Sequence, residues 1–240
     1  MSDPLFTLQG ASRAQTAEGV CWFYSDAHAI SALDLAANKV LVSFPSEHSW
    51  FGVGSSALLV GTEVLDRHGK RKARLALAEL EASVKYLHTR SIDDAGTVAV
   101  GSLIDELLVW DARTGKLLHR ETIAKLNQVA VDPLGSTVAI SRWEKPLQLL
   151  DLKTFTKRTV DGVMNATSMS LRWSPDAKRL VAYDLNKGFL VDPKAGTPLG
   201  TPFKLKGASG AAFLLGRSLL LVAQGKKLSA FDADSGAPGI

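Results

Sequence analysis

The chain has 240 residues, 46% apolar and 22% charged, with a formal net charge of +4 and a pI near 9.2. That length supports a substantial core, in one large all-β domain or two smaller ones, and no apolar run approaches the ~20 residues of a helical membrane span. A single cysteine, Cys21, excludes an internal disulfide framework and fits a reducing, cytoplasmic setting. The start, Met1-Ser2-Asp3-Pro4, reads as lacking both the basic and the apolar region of a secretory signal, and the mild basicity permits a polyanionic partner without requiring one.

An apolar residue followed by aspartate closes a β-like run six times, at Leu33–Asp34, Leu65–Asp66, Trp110–Asp111, Leu150–Asp151, Val191–Asp192 and Phe231–Asp232, with most intervals near forty residues. Most of these aspartates open a turn of small or polar residues, as in Asp111-Ala-Arg-Thr-Gly115. About fifteen residues upstream lies a second turn, seen at Glu18-Gly19, Asp94-Ala95-Gly96, Asp132-Pro133-Leu134-Gly135, Ser174-Pro175-Asp176 and Gly216-Arg217. Gly and Asn/Asp tolerate the positive φ of tight hairpins, and Pro presets the first turn position. Two turn classes in fixed relation, recurring at this period, predict a four-stranded blade repeated around a ring.

In chain order the first blade is predicted at about Ser12–Thr16, Val20–Ser25, Ile30–Leu33 and Lys39–Phe44. The second follows at Trp50–Val53, Ala57–Gly61, Glu63–Leu65 and Arg71–Ala78. Leu75 to Ala82 has helical propensity, but its place after a hairpin favours an outer strand and linker. The third blade is Tyr86–Arg90, Thr97–Gly101, Leu107–Trp110 and Lys116–Glu121. The fourth is Asn127–Val131, Thr137–Ser141, Leu147–Leu150 and Lys157–Val160. The fifth is Ser168–Trp173, Arg179–Tyr183, Gly188–Val191 and Pro202–Leu205. The sixth has three strands, Ala211–Leu214, Ser218–Ala223 and Lys227–Phe231, because Ala237-Pro-Gly-Ile240 reads as too short and broken for a fourth. The register instead assigns Leu5–Leu8 as that outer strand, closing one all-β propeller domain over residues 1–240. A piece of a longer, seven-bladed ring is the alternative.

Val109 to Gly115 (VWDARTG) and Leu171 to Ala182 (LRWSPDAKRLVA) resemble the third-strand end and first hairpin of WD-repeat β-propellers. The resemblance implies a non-catalytic scaffold that holds protein partners, as a subunit of a larger assembly. Only the third blade has the literal Trp-Asp and no blade has the family's Gly-His pair. The six aspartates are therefore expected to accept backbone N–H groups of their own turns.

Loops between second and third strands share one face with the connections between blades. Arg142-Trp-Glu-Lys145 stands out there, since Trp143 is flanked by charge in a loop, and Trp and Arg dominate interface energetics. Asp105, Glu106, His48 and Trp50 are expected on the same face, giving a candidate partner surface of Arg142, Trp143, Glu144, Lys145, Asp105, Glu106, His48 and Trp50. A second surface is basic. Arg67, Lys70, Arg71, Lys72 and Arg74, with segments 111–120, 151–159 and 192–206, hold half of the 28 lysines and arginines. All fall on outer strands and the turns before them. That suggests an edge for nucleic acid or another polyanion, or lysines and arginines that guard strand edges.

For catalysis the sequence offers no Gly-rich phosphate loop, no GxSxG and no His-x-x-x-His, so no enzyme activity and no cofactor is expected. His28, His48, His68 and His88 recur every twenty residues, a spacing that matches neither blade nor strand geometry. A loop-face cluster of Asp26, His28, His48, Asp105 and Glu106 is the remaining arrangement for an enzyme or metal site.

Overall fold

A computed structural model describes residues 11–17, 20–37, 39–47, 51–76, 87, 89–164, 168–214, 218–225 and 227–239. The described residues form six antiparallel sheets and no helix. Sheet one contains β1 (Ala11–Ala17), β2 (Val20–Ser25), β3 (Ala29–Asp34) and β4 (Lys39–Pro45); sheet two contains β5 (Phe51–Val53), β6 (Ala57–Val60), β7 (Glu63–Asp66) and β8 (Arg71–Arg74). Sheet three has β9 (Thr89–Ile92), β10 (Val98–Leu103), β11 (Glu106–Asp111) and β12 (Leu117–Thr122). Sheet four has β13 (Leu126–Val131), β14 (Thr137–Arg142), β15 (Lys145–Asp151) and β16 (Lys157–Met164). Sheet five has β17 (Ser170–Trp173), β18 (Leu180–Tyr183), β19 (Lys187–Asp192) and β20 (Thr197–Lys204), and sheet six β21 (Ala208–Leu214), β22 (Leu219–Gln224) and β23 (Lys227–Asp232). Each sheet is a meander in chain order, and first strands touch in succession, β1 with β5, β5 with β9, β9 with β13, β13 with β17 and β17 with β21. The sheets are the blades of a six-bladed β-propeller.

The cores lie between blades, which explains why the strands read as nearly continuous apolar runs. A strand turns alternate side chains to opposite faces. On β11, Leu108 and Trp110 therefore pack with Leu59, Val64 and Leu75 of blade two, while Leu107 and Val109 pack with Val129, Val138 and Ile140 of blade four. Equivalent clusters join blades one and two around Trp22 and Phe51, four and five around Leu149 and Leu171, and five and six around Leu190 and Phe231.

Polar turns fix the register as expected. Oδ1 of Asp34, Asp111, Asp151, Asp192 and Asp232 accepts the N–H groups two and three residues on, at 2.8–3.1 Å. Asp66 differs slightly, accepting from His68 and Lys70. The first hairpins add a buried version: Asp93 Oδ1 accepts from Thr97 N and Val98 N at 2.6 and 2.8 Å, and its Oδ2 from Thr97 Oγ1.

Three differences from the sequence reading are informative. In blade three the inner strand is Thr89–Ile92 rather than Tyr86–Arg90, because the chain pairs up to the Asp93 turn. In blade five the outer strand begins at Thr197, since Pro198 pairs with Val191 despite lacking an N–H. In blade six, Asp232 N donates to Ala237 O, Pro238 bridges to Phe231, and Gly239 N donates to Ala230 O. The segment considered too broken for an outer strand thus occupies the last residues of that edge. Leu5–Leu8, the proposed closing strand, lies outside the described residues, as do Leu77–Tyr86 and His88.

Candidate partner-binding face

Connections leaving the outer strands hydrogen-bond to the second-to-third-strand turn of their own blade: Ser46 N to His28 O, Leu75 N to Thr62 O, Ile123 N to Asp105 O and Leu205 N to Asn186 O. These two classes of loop therefore make up one face. On it, three successive two-residue turns carry an apolar side chain held out of the core. Ile104 is 72% exposed, Trp143 41% and Leu185 61%, and Met164 at the end of β16 adds another at 51%. Single exposed apolar residues are ordinary, but a run of them across blades three, four and five is a docking signature.

Lys125 ties two of these turns together. Its N–H donates to Asp105 Oδ1 at 2.8 Å, its carbonyl accepts from Trp143 N at 2.9 Å, and its ammonium donates to Glu144 Oε2 at 2.7 Å. Lys125 and Glu144 have φ of 61° and 55°, a left-handed conformation that costs a non-glycine residue and persists only where surroundings impose it. The hydrogen bond from the Lys125 ammonium, helped by its charge, holds the Glu144 carboxyl below its usual range. Trp143 is thus presented by a fixed turn. Arg142 ends β14 opposite Leu126 and Lys145; its Nε is fully buried and has no hydrogen-bond partner. Glu106 is held by Arg120, whose Nε and Nη2 both donate to one carboxylate oxygen at 3.0 and 2.8 Å. Six of the expected partner residues, Asp105, Glu106 and Arg142 to Lys145, therefore fall on adjoining turns of blades three and four. His48 and Trp50 lie outside the described residues.

Ile104 and Leu185 escape a reading of sequence alone. Ile104 directly continues the apolar end of β10, and Leu185 follows β18 after one intervening residue, Asp184, so an apolar residue at either place reads as core. Lys125 has no motif at all; its role exists only through the two turns it joins.

The basic surface is arranged differently. Third-to-fourth-strand turns lean on the outer strand of the preceding blade. A Cβ on Gly69 would meet the Phe44 ring at 2.7 Å and one on Gly115 the Arg74 carbonyl at 1.9 Å; Phe155 stacks on His119 at 4.5 Å, and Arg158 Nη1 donates to Lys194 O at 2.7 Å. Many of the cations there are paired within the chain: Arg71 with Glu63 at 3.1 Å, Lys72 with Asp66 at 3.5 Å, Arg120 with Glu106, and Lys157 with Glu121. Between blades one and two, Phe44, Glu47, Thr62, Glu63, Arg71 and Arg74 line an open pocket of about 510 Å³ of mixed charge.

Of the four periodic histidines, His28 sits on the loop face with Nδ1 2.8 Å from Tyr24 Oη, and His68 lies in the β7–β8 turn. Among the described residues no three His, Cys, Asp or Glu side chains gather as a metal set. Burial pushes the Cys21 thiol up. Arg90 is anomalous. It occupies the β9 position that other inner strands fill with Phe51, Val129, Leu171 or Ala211, opposite Gly101 rather than a larger residue. Its Nε is buried without a partner, and burial lowers its pKa to about 10.

No protein-family model matches the sequence, and no curated protein matches it. Among solved structures the chain is similar to the crystal structure of a computationally designed protein, Ika8, with a TM-score of 0.65 and 12% identity over 92% of this chain and 70% of that one. At that identity the likeness is one of fold. Among the described residues no helix is long and apolar enough to cross a membrane.

Proposed function

We propose that the chain is a non-catalytic, WD-repeat-like interaction module of the cytoplasm that docks protein partners on its loop face. The observation that carries this reading is the row Ile104, Trp143, Met164 and Leu185, four large apolar side chains exposed on adjacent loops of an otherwise tightly packed disc. Burying such side chains against a partner contributes about 1.5–3 kcal/mol each, and a Trp held in a fixed turn has little conformational entropy left to lose. The WD-like motif, the single cysteine and the rigid Lys125 network support the same reading.

The test is affinity capture from the source cells with the wild-type chain, an Ile104→Asp/Leu185→Asp variant and a Leu134→Asp control. Leu134 is 71% exposed but sits in the first hairpin of blade four, at the other end of its strands. Partners lost only with the loop-face variant, at unchanged melting temperature, support the proposal. A partner set indifferent to Ile104 and Leu185, or turnover of a small substrate, overturns it.

A further inference from the structure

We infer that the partner element received by this face is an acidic segment with an apolar anchor, its carboxylates seated on Arg142 and Lys145; this rests on the docking reading above. Across blades three to five the loop-face carboxylates are largely engaged within the chain. Glu106 is held by Arg120 and Glu144 by Lys125. Asp105 accepts the Lys125 N–H, and the buried Asp184 accepts the N–H groups of Asn186 and Lys187. Asp161, on the outer strand β16, remains exposed.

The cations are not balanced in the same way. Among the described residues Arg142 and Lys206 make no ion pair with a carboxylate, and Lys145 makes none either, feeling only the charge of Glu144, whose carboxylate is already bonded to Lys125; Lys187 donates to the Met164 carbonyl, at 3.3 Å, and lies over the Phe189 ring. The guanidinium of Arg142 is the most telling of these. Its Nε is buried without an acceptor, and a carboxylate seated on the outer nitrogens of this partly buried guanidinium would form a charge-assisted, two-pronged hydrogen bond. Trp143, its neighbour in sequence, supplies the apolar half of the same contact. An acidic residue close to an aromatic or aliphatic one therefore fits, and a basic segment is repelled.

The test is selection of a random 12-residue peptide library on the full chain, followed by titration of an enriched synthetic peptide against variants. We expect enriched peptides to carry two or more Asp or Glu beside an aromatic or aliphatic residue. Binding should weaken at least ~10-fold in Arg142→Gln, in Lys145→Glu at an exposed position, and in Trp143→Ala, and should weaken with salt. Lys145→Glu keeps the test valid should Arg142→Gln disturb the blade. Neutral or basic peptides that depend on Trp143 would retain the docking face and overturn the acidic chemistry. Peptides indifferent to Trp143→Ala, or no enrichment, would overturn both.

Discussion

Trp110 and Trp143 are the same residue type with opposite roles. Trp110 is fully buried between blades two and three, and its Nε1 donates to Ala76 O at 3.0 Å. Trp110→Ala is expected to cost about 3–5 kcal/mol, whereas Trp143→Ala should leave the urea midpoint nearly unchanged while removing partner binding. Asp93→Ala would leave the part-buried N–H groups of Thr97 and Val98 without their acceptor and cost about 1–3 kcal/mol on the same assay. Arg90 should behave in the opposite sense, because its Nε is buried without a hydrogen-bond partner in a half-buried side chain. Arg90→Met is expected to leave stability equal or raised, and a drop in melting temperature would show that the guanidinium has a stabilising partner. Acid sensitivity follows from the turn carboxylates. The N–H groups of Thr114 and Thr154 hold Asp111 and Asp151 below their usual value, and the Ser235 hydroxyl does so for Asp232. With the folded pKa below the unfolded one, their contribution is complete above about pH 4 and is lost as pH falls through the folded values. The urea midpoint should therefore fall below about pH 4, and an Asp111→Asn/Asp151→Asn/Asp232→Asn variant should show a flatter profile.

At the scale of strands and turns, the repeat was legible because each element announces itself locally. Alternating apolar runs end at an aspartate, and that aspartate builds its own turn whatever lies beyond it. Boundaries set by neighbours were not legible. Pro198 can open β20 because its missing N–H costs nothing on an outer strand, and Pro238 can bridge to Phe231 for the same reason. Close packing between blades is equally hidden. Gly115, at φ 75°, faces the Arg74 carbonyl so closely that a Cβ would stand 1.9 Å from its oxygen. Gly115→Ala should destabilise the fold by more than about 1 kcal/mol, whereas Gly225→Ala, with φ 57° and nothing within 4 Å, should carry the backbone cost alone. Similar losses for both would mean that the contact between blades two and three contributes little.

For the whole molecule, six blades with apolar faces between them make a rigid disc whose chemistry is left to its loops. Closure is proposed to come from Leu5–Leu8 beside Lys227–Ser229, the part of the β23 edge that Pro238 does not cover. With Cys21→Ser as background, single cysteines along residues 5–8 paired with Leu228→Cys should form a disulfide within the monomer; bonds only between chains would contradict that closure. The docking face is where fold and sequence join. Arg142–Trp143 was visible as a charged loop tryptophan, but the Lys125 clamp and the exposed Ile104 and Leu185 emerge only once the blades stand side by side. The most direct test of the whole account is photo-crosslinking in the native cell, with the crosslinking residue placed at Trp143, Leu185 or Leu134 in turn. Discrete protein adducts are expected from positions 143 and 185 and none from 134. Adducts from 134 alone, or equally from all three, would contradict it.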